Sequence, residues 1–336
     1  MRALLLETHD PALNLALEEY LFRTLQPEDE GWFLLWRNAP SLIVGRHQNT
    51  VEEVNQQLVQ HHNLPVVRRN TGGGAVYHDL GNVNFSFLHT AKQAGHIDFA
   101  VYLKPIVAAL AALGIEANFS SRNDLTAGGR KFSGSAQMRH GNKVLHHGTL
   151  LVNLDLAMLG AVLTGAPDKY QSKGISSVRS RVVNLSEIWP AGCTMAALEQ
   201  SLLHHCATGQ GVLPQGALAA AEQLAAEKYR TWAWNYGKSP AFTTRYRQRF
   251  AWGAVECRFA VRHGKIESVD FFGDFFAEKD IASLCAHMQG IAFTPAALHA
   301  ALAPLPLELW FTGCNAAVMR QFLAEGNGDN VQSPCL

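Results

Sequence analysis

The chain has 336 residues, 48% of them hydrophobic and 17% charged, a balance that fits a well-buried protein with one large domain and a smaller one. Lysine plus arginine and aspartate plus glutamate stand equal at 28 each. No overall field therefore draws in nucleic acid or an anionic membrane, and any anion must be recognised by a local cluster.

Taken from the start, "MRALLLETHDP" has too short an apolar run for a signal peptide. "RALLLE" predicts a strand, and "DPALNLALEEYLFRTL" a helix with Asp10 as N-cap, Pro11 at its first position and a stripe of Leu13, Leu17, Leu21 and Leu25. "WFLLWR" and "SLIVGR" read as strands, residues 52 to 61 as a polar helix, and "LPVVRR" as a buried strand that leads into three consecutive glycines. "NFSFL" alternates like a strand. "DFAVYLKPIVAALAAL" predicts a helix broken or kinked at Pro105, and its most apolar stretch is about half the length that crosses a bilayer. "RKFSGSAQMRHGNKVLHHGTLLVNL" predicts two strands turning at His140-Gly141-Asn142. Two alanine-rich helices follow between residues 194 and 230. "WNYGKSPAFTTRYRQRF" has the character of a linker, and a hairpin turning at His263-Gly264 with further helical segments forms a second domain. A polar tail starts near Glu325. The mixture is α+β.

The glycine run "RRNTGGGAVYHDLGN" matches neither common phosphate fingerprint. A Walker A loop needs Gly-Lys-Ser/Thr, and no lysine follows Gly72, Gly73 or Gly74; the dinucleotide pattern lacks its third glycine, because Tyr77 stands there. What remains is a strand–turn–strand whose N–H groups form an anion nest, with Arg68 and Arg69 as forked donors. Taken alone, it reads equally as a hairpin turn flanked by solvated arginines.

"NDLTAGGRKFSGSAQ" sets Lys131 among small residues, and on a regular strand Lys131, Ser133 and Ser135 share one face. That face suits a thin ligand whose charged end the lysine reaches, although an exposed hairpin with a solvated lysine has the same pattern. Asn123 and Asp124 fit turn formers, or groups that fix a ribose, an amine or a metal-bound water. His146 and His147 are adjacent, so on a strand they face opposite sides and do not chelate one metal. With no recurring Cys/His spacing, zinc is not expected. "SKGISSVRSRVVNL" carries Lys173, Arg179 and Arg181 and reads either as a solvated basic loop or as a flap that closes on an anion. There is no G-x-S-x-G elbow. The six cysteines (Cys193, Cys206, Cys257, Cys285, Cys314 and Cys335) show no C-x-x-C pair and fall outside the first three of these segments. They predict a reduced, cytoplasmic setting and argue against a covalent serine or cysteine enzyme.

The segments "RRNTGGGAVYHDLGNVNFSF", "NDLTAGGRKFSGSAQ", "HHGTLLVNLDL" and "KGISSVRSRVVNL", in that order, resemble bacterial lipoate–protein ligases, and the likeness extends to "FLLWRN", "IVGR", "WAWNYGKSPAF" and the C-terminal domain. The resemblance implies an α/β catalytic domain of the biotin/lipoate ligase type over residues 1–244, a small α+β accessory domain over 245–325, and a flexible tail over 326–336. It implies two steps: lipoate and ATP give lipoyl-adenylate and pyrophosphate, then the lipoyl group passes to a lysine of an acceptor protein. The acceptors are apo lipoyl domains of 2-oxoacid dehydrogenase E2 subunits and the glycine-cleavage H protein.

On this resemblance Lys131 is the catalytic lysine, bridging the carboxylate and the α-phosphate. Arg69, Gly74, Ala75, Val76 and Tyr77 hold ATP and the adenylate, while Gly72, Gly73, Ser135 and His147 join Lys131 around lipoate. Arg179 and Arg181 belong to a covering loop, and Asn123 is a further contact. Mg²⁺ accompanies ATP, with Asp124 as the one carboxylate offered to it, and no bound prosthetic group is expected. His78 and Asp79 are read as turn supports. The competing readings are a transferase that uses preformed lipoyl-adenylate and a non-catalytic module that binds lipoyl domains or nucleotides. An octanoyltransferase of the same superfamily would need a cysteine near these motifs.

Overall fold

Residues 1–91, 98–120, 123–163, 181–237, 244–326 and 331–332 are described by the structure, a computed structural model. They fall into two units: Met1–Val44, Thr50–Asn70 and Ala75–Tyr236 make the first, and Gly45–Asn49, Thr71–Gly74 and Gly237–Leu336 the second.

In the first unit, the strands form where alternating or fully apolar runs meet turn residues. They are β1 (Arg2–Leu5), β2 (Trp32–Trp36), β3 (Ser41–Val44), β4 (Val66–Arg68), β5 (Val76–His78), β6 (Asn82–Thr90), β7 (Asn118–Phe119), β8 (Asp124–Ala127), β9 (Arg130–His140), β10 (Lys143–Leu151) and β11 (Gly209–Gln210). Eight of them make one sheet in the order β11-β1-β2-β6-β10-β9-β8-β7, parallel from β11 to β2 and antiparallel beyond. β4, β3 and β5 make a second, three-stranded sheet with β5 at an edge. The Pro11–Thr24 helix starts as its sequence predicts, with the Asp10 carboxylate accepting from the N–H groups of Ala12 and Leu13. Its apolar stripe packs with Leu34, Trp36, Leu88 and Leu145 on one face of the large sheet.

The other face of that sheet is a core. Phe85, Phe87 and His146 point into it and meet Phe99 and Tyr102, the latter in the Ala100–Ala112 helix. This helix runs through Pro105 without a break. The proline forfeits one backbone hydrogen bond, but burial of Tyr102, Leu103, Ile106, Ala109 and Leu110 holds the turns on either side. The polar helix expected near residues 52 to 61 is two short helices, Thr50–Glu53 and Gln56–His61. No described helix is long and apolar enough to cross a membrane.

In the second unit, β12 (Thr244–Phe250), β13 (Gly253–Arg262), β14 (Lys265–Gly273) and β15 (Val331–Gln332) form a sheet in the order β14-β13-β12-β15. "TRYRQRF", read as part of a linker, is strand β12: Tyr246 joins Cys257, Phe259, Leu284, Leu298 and Phe322 in the core while the arginines beside it alternate to the other face. Residues 238–243 of that stretch lie outside the described residues. In the C-terminal segment, Val331–Gln332 pairs with Thr244 and Arg245, and residues 327–330 and 333–336 lie outside the description.

His146 is fully buried, its ring stacked 4.5 Å from that of Tyr102, and burial drives its pKa well below 6.5. The folded chain keeps it neutral, whereas the unfolded chain takes up a proton below pH 6.5. Stability therefore falls as pH drops through that value, by about 1.4 kcal/mol per pH unit for such a group. Replacing the ring by a non-titrating one, His146→Phe, is expected to flatten that acid slope, as read from denaturant unfolding at pH 7 and pH 5.

Candidate active site

Strand β9 does not alternate regularly where Lys131 sits. Against β8 it pairs Ser133 with Leu125 and then Lys131 with Thr126, leaving Phe132 without a partner. This extra residue is a β-bulge, and it shifts the side-chain alternation by one. Lys131 therefore lies on the face of Asp124, Thr126 and Gly134, while Ser133 and Ser135 lie on the opposite face. This corrects the regular-strand expectation that placed Lys131, Ser133 and Ser135 together. The Ser135 hydroxyl is buried on the core side beside Gly148, where a Cβ would come within 2.7 Å of it.

Both backbone edges of Lys131 are held. It pairs with Thr126 on one side, and on the other its N–H donates to Arg181 O (2.8 Å) while its carbonyl accepts from Val183 N (2.9 Å). Its ammonium lies 2.7 Å from Asp124 Oδ1, an ion pair. Asn123 braces the same strands, accepting from Ser135 N at its carbonyl and donating from Nδ2 to Ser135 O.

Beyond Gly134, the next residue on that face is Ala136, about 7 Å along the strand. Ala136 is paired across β10 with His147, and His147 with Ser86 of β6. The Glu18 carboxylate, buried in the Pro11–Thr24 helix, accepts from Ser86 Oγ (2.6 Å) and from His147 Nδ1 (2.9 Å), and Trp36 Nε1 donates to Ser86 Oγ. A strip of small residues thus runs from a cation at one end to a buried polar cluster at the other.

A family model for the lipoyl protein ligase A/B catalytic domain matches residues 10–207, and one for the bacterial lipoate protein ligase C-terminus matches residues 239–323. The chain belongs to the lipoate–protein ligase family. The family drawn from its motifs is thereby borne out, and so is the enzyme class. The ligase is 42% identical over 280 residues to lipoate–protein ligase 1 of Staphylococcus aureus, covering 82% of this chain and 85% of that one. It is 40% identical over 283 residues to lipoate-protein ligase LplJ of Bacillus subtilis, with the same coverage. The solved structure of P. falciparum LipL1 in complex with lipoate has a TM-score of 0.80 at 28% identity, covering 96% of this chain and 99% of that one. A lipoate-protein ligase A bound with ATP gives 0.62 at 29% identity, over 70% and 98%.

The arginines before the glycine run have separate fates in this ligase. Arg68 is 1% exposed, and its guanidinium donates to Trp234 O, Thr50 Oγ1 and Asn235 O, so it ties the strand to the Trp232–Asn235 helix. Arg69 is buried too, and donates to Ile43 O. Burial lowers its pKa to about 10, opposed by the nearby Glu18 carboxylate and assisted by Arg68. The glycines Gly72, Gly73 and Gly74 lie in the second unit. A Cβ on Gly72 would stand 2.2 Å from Phe275 O, and Gly73 has φ +89. There the run serves close backbone approach and a left-handed turn. Ala75 to Tyr77 enter the first unit at edge strand β5, with the Tyr77 ring buried against Leu42, Val44 and Val66. Lys173 and Arg179 lie outside the described residues. Arg181 has an exposed side chain, and its backbone meets Lys131.

Composition and spacing had not marked Glu18, Asn38, Trp36 or Ser86. An available signal was the acidic pair Glu18-Glu19 inside the leucine-rich helix stretch "NLALEEYL". Asp79 is a turn support, accepting from Gly81 N and Asp155 N. His78 is more than that. Asn14 Nδ2 donates to the carbonyls of Thr8 and Arg37 and to Asn38 Oδ1, so Asn38 Nδ2 donates to His78 Nδ1 and the ring proton resides on Nε2. Burial, with Arg69 and His147 adding repulsion, lowers the pKa of His78 to about 3, which keeps the ring neutral.

Arg68→Ala removes a buried, hydrogen-bonded cation and is expected to destabilise the fold by about 2–4 kcal/mol. The shift of the denaturant midpoint measures it.

Proposed function

We propose that this ligase joins lipoate to ATP as lipoyl-adenylate and then transfers the lipoyl group to the lysine of an acceptor domain. The acceptors are lipoyl domains of 2-oxoacid dehydrogenase E2 subunits and the glycine-cleavage H protein. The observation that carries this reading is the ammonium of Lys131 beside Gly134, at the head of a small-residue strip that ends at His147 and Glu18. Relatives supply further support: one solved structure is described as a complex with lipoate, another as bound with ATP. An archaeal bipartite ligase structure (TM-score 0.66, 30% identity, over 71% of this chain and 97% of that one) is described together with its E2 lipoyl domain.

In the first step a carboxylate oxygen attacks the α-phosphorus and pyrophosphate leaves. Two anions must be brought together, and Lys131 neutralises both as charge builds on the bridging oxygens. The edge position of β5 supports a nucleotide role for Val76 and Tyr77, and for Ala75 just before them, through backbone groups that no neighbouring strand uses among the described residues, with Arg69 and Gly74 beside them in sequence. The strip through Gly134 and Ala136 takes the apolar arm of lipoate and His147 its far end. Ser135 faces away from Lys131 and contributes backbone only.

Mg²⁺ enters as the counter-ion of ATP. Asp124 already faces the Lys131 ammonium, so the phosphate oxygens are the metal's main ligands in this reading. In the second step the acceptor amine attacks the carbonyl of the mixed anhydride and AMP leaves, which needs no protein nucleophile. Burial pushes Cys206 up to about 12, Cys314 up to about 11 and Cys257 well above the ordinary thiol value, so these three thiols remain protonated. We assign both steps to residues 1–244, with an accessory role for 245–325, and place the ligase in the cytoplasm.

Lipoate-dependent exchange of label between pyrophosphate and ATP tests the activation step. Exchange is expected in the unchanged chain and lost in Lys131→Ala with the melting temperature preserved. An unchanged chain that transfers from supplied lipoyl-adenylate but shows no exchange would be a transferase instead.

A further inference from the structure

We infer that Asp124 and Gly134 are positioning residues for Lys131, and that the bulge at Phe132 is what brings all three onto one face. The inference rests on the reading of Lys131 as the adenylation lysine. A lysine ammonium on its four-carbon stem samples many rotamers, so holding it where a carboxylate and a phosphate meet requires restraint. Three restraints converge here. The backbone of Lys131 is held on both edges, by Thr126 and by the Arg181–Val183 segment. The Asp124 carboxylate sits 2.7 Å from Nζ. The space over Gly134 is taken by the lysine: a Cβ there would stand 3.0 Å from Lys131 Nζ, 3.2 Å from its Cε and 3.7 Å from Asp124 Oδ1.

The pair is partly open to solvent, with side-chain exposures of 41% for Lys131 and 25% for Asp124. Its contribution to stability is accordingly small, and its effect is on geometry. Asp124 occupies one direction of approach to the ammonium, which has three N–H donors, and leaves donors for the carboxylate and the α-phosphate. Gly134 is paired with Asp124 and Thr149 as ordinary extended strand, with no positive φ. A side chain at 134 therefore strains no backbone, and the nearest atoms it meets are the far end of the lysine, with Asp124 Oδ1 next at 3.7 Å. It moves the ammonium and leaves the strand in place.

The test compares Asp124→Asn, Gly134→Ala and Gly134→Val in the full chain, with Lys131→Ala as control. The readouts are lipoate-dependent pyrophosphate–ATP exchange, the apparent Mg²⁺ requirement, transfer from supplied lipoyl-adenylate, and melting temperature. A graded fall in exchange kcat is expected, several-fold for Gly134→Ala and on the order of 100-fold for Gly134→Val. For Asp124→Asn a loss on the order of tenfold is expected. In all three the KM for ATP stays within about twofold, melting temperature and Mg²⁺ requirement hold, and transfer from supplied adenylate changes less than exchange. Unchanged exchange in both Gly134 variants overturns the proposal. Asp124→Asn activity that returns at high Mg²⁺ overturns it for Asp124, which would then be a metal ligand. Normal exchange in Lys131→Ala would instead take down the underlying reading of the lysine.

Discussion

One unpaired residue in one strand organises the site. Without Phe132 as an extra residue, the alternation of β9 would send Lys131 to the core side with Ser133 and Ser135, and Asp124 would face no cation. The bulge lets a single strand serve two purposes. Residues 133 to 137 keep the register that buries Ser133, Ser135 and Gln137 toward the aromatic layer, while the segment before them aims its lysine at the opposite face. A bulge next to an active site is a recurrent way to re-aim a side chain, because it changes direction without ending the strand.

The two faces of the large sheet divide the chemistry accordingly. One is closed by Phe85, Phe87, Phe99, Tyr102 and a neutral His146. The other combines apolar packing from the Pro11–Thr24 helix with polar groups that are individually costly to bury: Glu18, Arg69, His78 and His147. They offset one another. Glu18 accepts from His147 and Ser86 and stabilises the charge on Arg69, while Arg69 helps keep His78 neutral. Removing one member of such a set leaves its partners unpaired in a low-dielectric region, which explains why groups far apart in the chain, at positions 18, 69, 78 and 147, are tied to one small volume.

Much of this is legible in the amino-acid sequence. The Asp10–Pro11 helix start, the β9–β10 and β13–β14 hairpins and the opposed faces of His146 and His147 follow from caps, turn residues and the two-residue period of a strand. Those signals are local, and local geometry repeats wherever they occur. The misreadings share a cause. "TRYRQRF" has the composition of a linker, yet the one buried tyrosine, Tyr246, packed in the core of its unit, is enough to seat a strand. Pro105 is a helix breaker by propensity and is overridden by an apolar face packed on a sheet. The bulge at Phe132 carries no sequence mark, because it depends on how β8 meets β9.

Residue types and their order determined the family motifs, the absence of a placed cysteine nucleophile, and Lys131 as the cation of interest. Only the tertiary structure decided which face that lysine occupies, that Asp124 rather than Ser135 is its neighbour, and that Arg68 is a strut where Arg69 sits beside Glu18. It also decided that Gly72 is small because the Phe275 carbonyl passes against it. Each of these depends on contacts between segments distant in the chain, and register, burial and close approach are properties of pairs of segments that neither segment's composition contains.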